Sequence, residues 1–180
     1  MAWTTPRTWT DGELVTKAIM DTHVRDNLNF LLKNAFFQMP GQGAGAGVTF
    51  PDTTGGNRPS VGLADAQTNA ARISFAVPSF FVSLTKAVVI VVAEGSGNCR
   101  RSVNARYGAS GQAESTHTGN IAAAEIALTS GQIFEDDISS TLASLAAGDY
   151  AGIYWEREGA HANDTVGAKV HVVGILLEWS

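Results

Sequence analysis

From residue 71 the chain alternates. Ile73, Phe75 and Val77 are apolar, Arg72, Ser74 and Ala76 between them are polar or small, and Pro78 ends the run. Successive side chains of a strand point to opposite faces, so this period of two predicts a strand with one face in a core and the other in water. Phe80, Val82 and Leu84 lead into Lys86-Ala87-Val88-Val89-Ile90-Val91-Val92-Ala93, which has almost no polar face and needs cover on both sides. Val88, Ile90 and Val92 share one side of that strand, and Val89, Val91 and Ala93 the other. A two-layer sandwich buries one set in its core, so the second set must meet another element or another subunit. Val89 and Val91 are assigned to that subunit contact. Further strands are expected over Ser102–Tyr107, Ile121–Leu128, Asp137–Leu145, Tyr150–Arg157 and Val166–Trp179. In the last, Val170 and Val172 point one way, and Val173, Ile175, Leu177 and Trp179 continue in a shifted register beside Gly174, which predicts a bulge. Seven or eight such strands parted by Gly-, Ser- and Asn-rich turns predict a sandwich or barrel over residues 71–180.

The preceding residues are of two other kinds. Residues 1–15 carry Trp3 and Trp9 around Pro6 in a stretch too short and polar to bury them. Indoles exposed on such an arm mark a contact site, so the arm is expected to dock. From Thr16, an N-cap residue type, a helix is expected to about Asn34. Its apolar stripe is Met20, Val24, Leu28, Leu31 and Ala35, widened by Ile19 and Leu32, with Asp21 and Arg25 placed as an i,i+4 ion pair. The stripe is too short for a long coiled coil and suits packing against copies of itself or against a particle. Residues 36–70, with Pro40-Gly41-Gln42-Gly43-Ala44-Gly45-Ala46-Gly47, read as a Gly/Pro-rich connector. No Lys-Ser or Lys-Thr follows the glycines, so they are not a phosphate loop. The domains expected are thus 1–35, 36–70 and 71–180.

Composition excludes several functions. With 44% hydrophobic and 16% charged residues the chain can build a core. Its net charge of −5 gives no general attraction to nucleic acid. No secretory leader is expected, because Trp3 to Glu13 is polar. Ala87 to Ala93 is far shorter than the ~20 residues of a membrane helix. The single cysteine, Cys99, excludes an intramolecular disulfide and reads as a small residue flanking a turn, despite Arg100 and Arg101 beside it.

Catalytic chemistry is sparse. His23, His117, His161 and His171 lack the spacing of a helical metal pair, and His161 with Asp164 reads as a polar turn. Glu135-Asp136-Asp137 reads as a solvated acidic turn rather than a cation site. No Gly-x-Ser-x-Gly elbow or glycosidase carboxylate pair stands out. No enzyme, metal or cofactor is expected.

The run Trp3-Thr4-Thr5-Pro6-Arg7-Thr8-Trp9, followed by Thr22-His23-Val24-Arg25-Asp26-Asn27-Leu28, resembles the N-terminal segment of small fibre, spike or tail-associated virion proteins of tailed bacteriophages. A softer resemblance covers Leu142, Leu145–Tyr150, Arg157-Glu158-Gly159, Asn163-Asp164-Thr165, Val173-Gly174-Ile175 and Glu178-Trp179. These look like the C-terminal jelly-roll of phage fibre-like proteins, whose topology is similar to the trimeric tumour-necrosis-factor heads. The resemblance implies a mainly β homotrimer located in the virion, with Trp3, Thr5, Pro6, Arg7, Trp9, His23, Arg25 and Asn27 anchoring it to capsid, neck or tail proteins. Met20, Val24, Leu28, Leu31, Val89 and Val91 would then mediate self-association, and the head would act as a fibre or spike that contacts host-surface glycan. Two alternatives stay open: a capsid cement or decoration protein, and a soluble carbohydrate-binding β-sandwich. The Trp3–Trp9 arm separates them, since a free-standing lectin has no use for it.

Overall fold

The computed structural model describes residues 8, 12–25, 28, 34–38, 42–54 and 58–179. Thr16 does cap a helix: its hydroxyl accepts from the Ile19 amide at 3.3 Å, and α1 spans Lys17–Met20. The chain continues as a wider, π-type turn over Asp21–Arg25, and Asp21 pairs with Lys17 and, at 2.9 Å, with Arg25. Of the rest of the helix expected to about Asn34, Leu28 is helical, and residues 26–27 and 29–33 lie outside the described residues. Asn34–Gln38 is a strand, β1, drawn into a sheet by backbone pairing.

Ten more strands follow among the described residues: β2 Gln42–Ala44, β3 Val48–Thr54, β4 Arg58–Leu63, β5 Thr68–Ala76, β6 Leu84–Ala93, β7 Gly97–Ala109, β8 His117–Leu128, β9 Ile133–Asp137, β10 Asp149–Glu158 and β11 Val170–Trp179. One sheet runs β3-β4-β11-β6-β9, with β1 also bonded to β11, and the other runs β2-β5-β10-β7-β8. All the strand pairs within them are antiparallel. The rows β4-β11-β6-β9 and β5-β10-β7-β8 are the two sheets of an eight-stranded jelly-roll: between β4 and β11 the chain changes layer after every strand except β7, which is followed by β8 in the same sheet. The expected β-sandwich is therefore present, and its jelly-roll connectivity follows from the strand order.

The segment 36–70, expected to be a connector, instead supplies β2, β3 and β4 and most of β1. Composition misleads here because a sheet is joined through backbone groups, and glycine has those: Gly43 lies opposite Ala71. The flexible-looking Gly45 and Gly47 adopt φ of +113° and +81° in the turn between β2 and β3. At Gly45 a Cβ would also come within 2.8 Å of the Thr68 carbonyl oxygen, so the turn requires glycine twice over.

The core lies between the sheets. Ile73, Phe75 and Val77 are buried, while Arg72, Ser74 and Ala76 are exposed, as the alternation requires. On β6 the sides are reversed from the expectation. Val89 and Val91 belong to the sandwich core, not to a subunit contact. Val88 and Val92 on the opposite side are 2% and 6% exposed within the single chain, so that face needs no second copy to cover it. On β11 the core residues are Val170, Val172, Ile175, Leu177 and Trp179, and the register slips between Val172 and Gly174. The bulge is where the sequence put it.

Two further expectations change. Asp137–Leu145 is not a strand: Asp137 ends β9, and Ser139–Leu142 is a 3-10 turn that delivers Leu142 to the core. Glu135-Asp136-Asp137 is part of β9 rather than a solvated turn. Asp136 sits opposite Val89 and points into the core, where both its oxygens take Arg101 nitrogens of β7 at 2.7 Å. One oxygen also accepts from the Trp155 indole at 2.8 Å. The Asp136 carboxylate is matched by a guanidinium and an indole N–H across the two sheets, which is what makes it tolerable there, while Arg101 Nη1 is left buried without a hydrogen-bond partner.

Candidate functional site

The outward face of β5-β10-β7-β8 carries an open surface trough. Its geometry follows from strand register. Side chains two apart share a face, so Tyr150, Gly152, Tyr154 and Glu156 of β10 point outward together. Across the ladder, Gly152 lies opposite Ser74 on one side and Arg106 on the other, and Tyr154 lies opposite Arg72 and Asn104. Asn104 in turn faces Asn120 of β8. Of these, Arg72, Ser74, Asn104, Arg106, Tyr150, Gly152 and Tyr154 line an open trough of about 1020 Å³, with Glu156 and Asn120 just beyond its edge.

Each part of the trough has a physical cause. Tyr150 is 64% exposed, a large ring left in water on a strand face. Gly152 has ordinary backbone geometry, and a Cβ there would meet nothing closer than the Arg106 carbonyl oxygen at 3.9 Å. The fold does not demand glycine at 152, and glycine weakens a strand interior. Its effect is to leave a low floor between two tyrosines, which sit about 13 Å apart at ~3.3 Å per residue.

The polar groups around that floor are held in place. The Arg72 guanidinium lies over the Tyr154 ring, 5.5 Å from its centroid. The Tyr154 hydroxyl donates to Glu156 at 2.9 Å, and Ser102 donates to the same carboxylate at 3.4 Å. Burial and then the bond to Glu156 raise the Tyr154 phenol above its usual pKa, so it remains a donor. Asn104 donates to Asn120 at 3.2 Å, and Arg106 pairs with Glu114 of the β7–β8 turn at 3.1 Å. That turn folds onto the sheet: a Cβ on Gly108, opposite Tyr150, would come 2.7 Å from the Ala113 carbonyl oxygen. The trough thus has a wall beside Tyr150. Such a surface offers an aromatic plane, amides and charged groups with both donors and acceptors.

A second polar cluster lies on the other sheet. Ser60 is 3.0 Å from His171 Nδ1, and His171 Nε2 is 3.0 Å from Glu94. With the Nε2 proton donated to Glu94, Nδ1 is left to accept from Ser60. This is the order of groups in a hydrolytic triad, but Ser60 and His171 are 3% and 0% exposed. The Ser60 oxygen is closed to any reacting carbonyl, and the cluster instead ties β4 to β11 and to the end of β6.

The residues singled out from sequence fall elsewhere. Trp3, Thr5, Pro6, Arg7, Trp9, Asn27 and Leu31 lie outside the described residues. His23 is half-buried and Arg25 exposed in the turn after α1. Met20, Val24 and Leu28 are 44%, 38% and 54% exposed, and Leu14 and Val15 are 80% and 49% exposed. His161 Nδ1 accepts from the Asn163 amide, and Asp164 is committed to Arg157, at 2.8 Å from Nη2 and 3.1 Å from Nε. No group of potential metal ligands occurs among the described residues. Cys99 is a core residue of β7, and burial pushes its thiol up to about 12. None of the trough residues was marked by sequence. The available signal was the strand Tyr150–Arg157, in which two tyrosines and a glycine fall on the face that the core-facing Ile153 and Trp155 leave outward.

No family model and no curated protein matches this chain. Among solved structures it is similar to TmCBM61 in complex with β-1,4-galactotriose, at 9% identity and a TM-score of 0.46, covering 78% of this chain and 89% of that one. It is also similar to the family 11 carbohydrate-binding module of Clostridium thermocellum in complex with a β-1,3-1,4-mixed-linked tetrasaccharide. There the identity is 14% and the TM-score 0.43, covering 83% of this chain and 90% of that one.

Proposed function

We propose that this protein is a carbohydrate-binding β-sandwich, with the outward trough of β5-β10-β7-β8 as its binding surface. The observation that carries the reading is Tyr150 beside the unforced glycine floor at Gly152, ringed by Asn104, Arg72, Arg106 and Glu114. A sugar ring presents an apolar face and a rim of hydroxyls that both donate and accept. An exposed aromatic ring flanked by amides, guanidinium groups and carboxylates matches both features. Single-stranded nucleic acid also stacks on aromatic rings, but Glu114 and the net charge of −5 oppose a phosphate backbone. A proline-rich peptide seeks a groove of several adjacent aromatic ridges, and here the two tyrosines are parted by a gap.

Isothermal titration of the protein against a panel of soluble plant and bacterial polysaccharides tests this. At least one polymer is expected to bind, and Tyr150→Ala to weaken it about tenfold, the equivalent of one lost ring contact of ~1.4 kcal/mol. Gly152→Val fills the floor without a backbone clash and should weaken it further. Binding that survives both substitutions in folded protein, or a panel without any binder, would refute the reading.

A second element of the reading concerns attachment. The exposed Leu14, Val15, Met20, Val24 and Leu28 form an apolar stretch that the single chain leaves uncovered, within the segment that resembles a phage virion anchor. On this reading the segment fastens the sandwich, as a homotrimer, to a tailed-phage particle, so that several heads bind one polymer with added avidity. Protein lacking residues 1–33 should fold yet be absent from purified particles, and sedimentation of the intact chain should give a trimer.

A further inference from the structure

We infer that the trough recognises an acidic polysaccharide through Arg72, whose guanidinium takes a carboxylate carried by a sugar ring seated on Tyr150. The inference rests on the glycan-binding reading of the same face. It starts from an asymmetry between the two arginines that line the trough. Arg106 already holds Glu114. Arg72 is exposed, rests on the Tyr154 ring, and meets no carboxylate among the described residues.

The surroundings fix where its free edge can act. Tyr154 is itself oriented by its hydroxyl bond to Glu156, so the ring under Arg72 is not free to swing. A guanidinium stacked on a fixed ring keeps its N–H groups in one plane and available at the rim. Arg72 and Ser74 are neighbours on the outward face of β5, and Ser74 lies opposite Gly152. The open edge therefore borders the floor that separates Tyr154 from Tyr150. A ring stacked on Tyr150 can project a substituent over Gly152 toward Arg72 without meeting a side chain on the way.

The planar fork of one guanidinium matches a planar carboxylate in two parallel bonds. A tetrahedral sulfate or phosphate is usually gathered by several cations, and here the second arginine is already paired. With Arg72 and Arg106 against Glu114, the lining is short of one negative charge. The preference is local: a chain of net charge −5 repels a polyanion at long range, so non-specific attraction would not produce it.

Three polymers decide the question: polygalacturonate, the same polymer with its carboxyl groups reduced to alcohols, and a sulfated galactan, each titrated into the full chain at fixed ionic strength. Polygalacturonate is expected to bind at least tenfold more tightly than the other two. Arg72→Gln should bring its affinity down to that of the reduced polymer. Arg72→Lys, which keeps the charge but loses the fork, should restore only part of the difference. The inference is overturned if the reduced polymer binds equally well, if the sulfated galactan is preferred, or if Arg72→Lys equals wild type. In those cases glycan binding itself still stands, whereas a protein that binds none of the three, nor any polymer of the wider panel, overturns both.

Discussion

Replacing Asp136 by Ala should be among the most damaging single changes in the sandwich. Asp136 and Arg101 have side chains 3% and 9% exposed, joined by two 2.7 Å bonds, and Asp136 also takes the Trp155 indole proton. Removing the carboxylate leaves a guanidinium in the core with no counter-charge and an indole N–H with no acceptor. Breaking a buried pair from one side costs about 3–5 kcal/mol, against a total stability of about 5–15 kcal/mol for an ordinary domain. At an m of ~2 kcal/mol/M that is a fall of about 1.5–2.5 M in the urea midpoint. In a melt it is roughly 6–20 °C at 2–4 °C per kcal/mol. The informative comparison is Asp136→Leu alone against Asp136→Leu with Arg101→Met. The second change removes the orphaned charge, so the double variant should be more stable than the single one, with a coupling of several kcal/mol in the cycle. Urea unfolding followed by Trp fluorescence and circular dichroism measures these variants, together with Arg101→Met alone, which closes the cycle. A loss under 1 kcal/mol for Asp136→Ala with m unchanged, or strict additivity in the cycle, would show that Arg101 escapes to water and that the pair is not held as described.

Other outcomes follow from the same structure. Cys99 should resist alkylation in native protein at pH 8 and react at the rate of unfolding. Its folded pKa, raised from 9.0 to about 12, lies above the unfolded one, so its contribution is complete below pH 9 and is lost as pH climbs from 9 toward 12. Cys99→Ser should leave more of the stability measured at pH 8 intact at pH 10.5 than wild type retains. Removal of residues 1–33 should leave the melting temperature nearly unchanged, whereas removal of residues 1–40 takes β1 off β11 and should lower it by several degrees. Val91→Asp should abolish folding outright rather than release a folded monomer, because Val91 lies in the core at 0% exposure.

The parts of the fold that sequence revealed are those in which side chains carry the pattern. Ile73, Phe75 and Val77 announce β5 because half of that strand faces the core, and the bulge in β11 shows as a slip in an apolar register. β2, β3 and β4 stayed hidden because Gly, Pro, Thr and Asp interrupt the few apolar residues, such as Val61 and Leu63, that they send to the core, and their pairing is a backbone matter that composition does not record. Val89 and Val91 could not be told from Val88 and Val92, since both sides of β6 are apolar and only the three-dimensional arrangement decides which is the core. Asp136 was misread for a related reason: an acidic residue looks solvated until its distant partner, Arg101, is brought beside it. The trough is harder still. Tyr150, Gly152, Arg72 and Asn104 come from three strands, and no local spacing links them until the ladder sets them in rows.

The position of β11 also sets a timetable for the chain's birth. It lies inside its sheet, flanked by β6 on one side and by β4 and β1 on the other, yet it is the last of these strands to be made. Ser60 on β4 meets His171 on β11 across 111 residues of sequence. At a synthesis rate of about 5–20 residues per second, β4 waits roughly 5–20 s for the strand that completes it. Through that interval β4 and β6 each expose an unsatisfied edge, and on a polysome the nearest strand able to fill it belongs to another nascent copy. The sheet that holds β11 can therefore be completed only after nearly the whole sandwich has been synthesised.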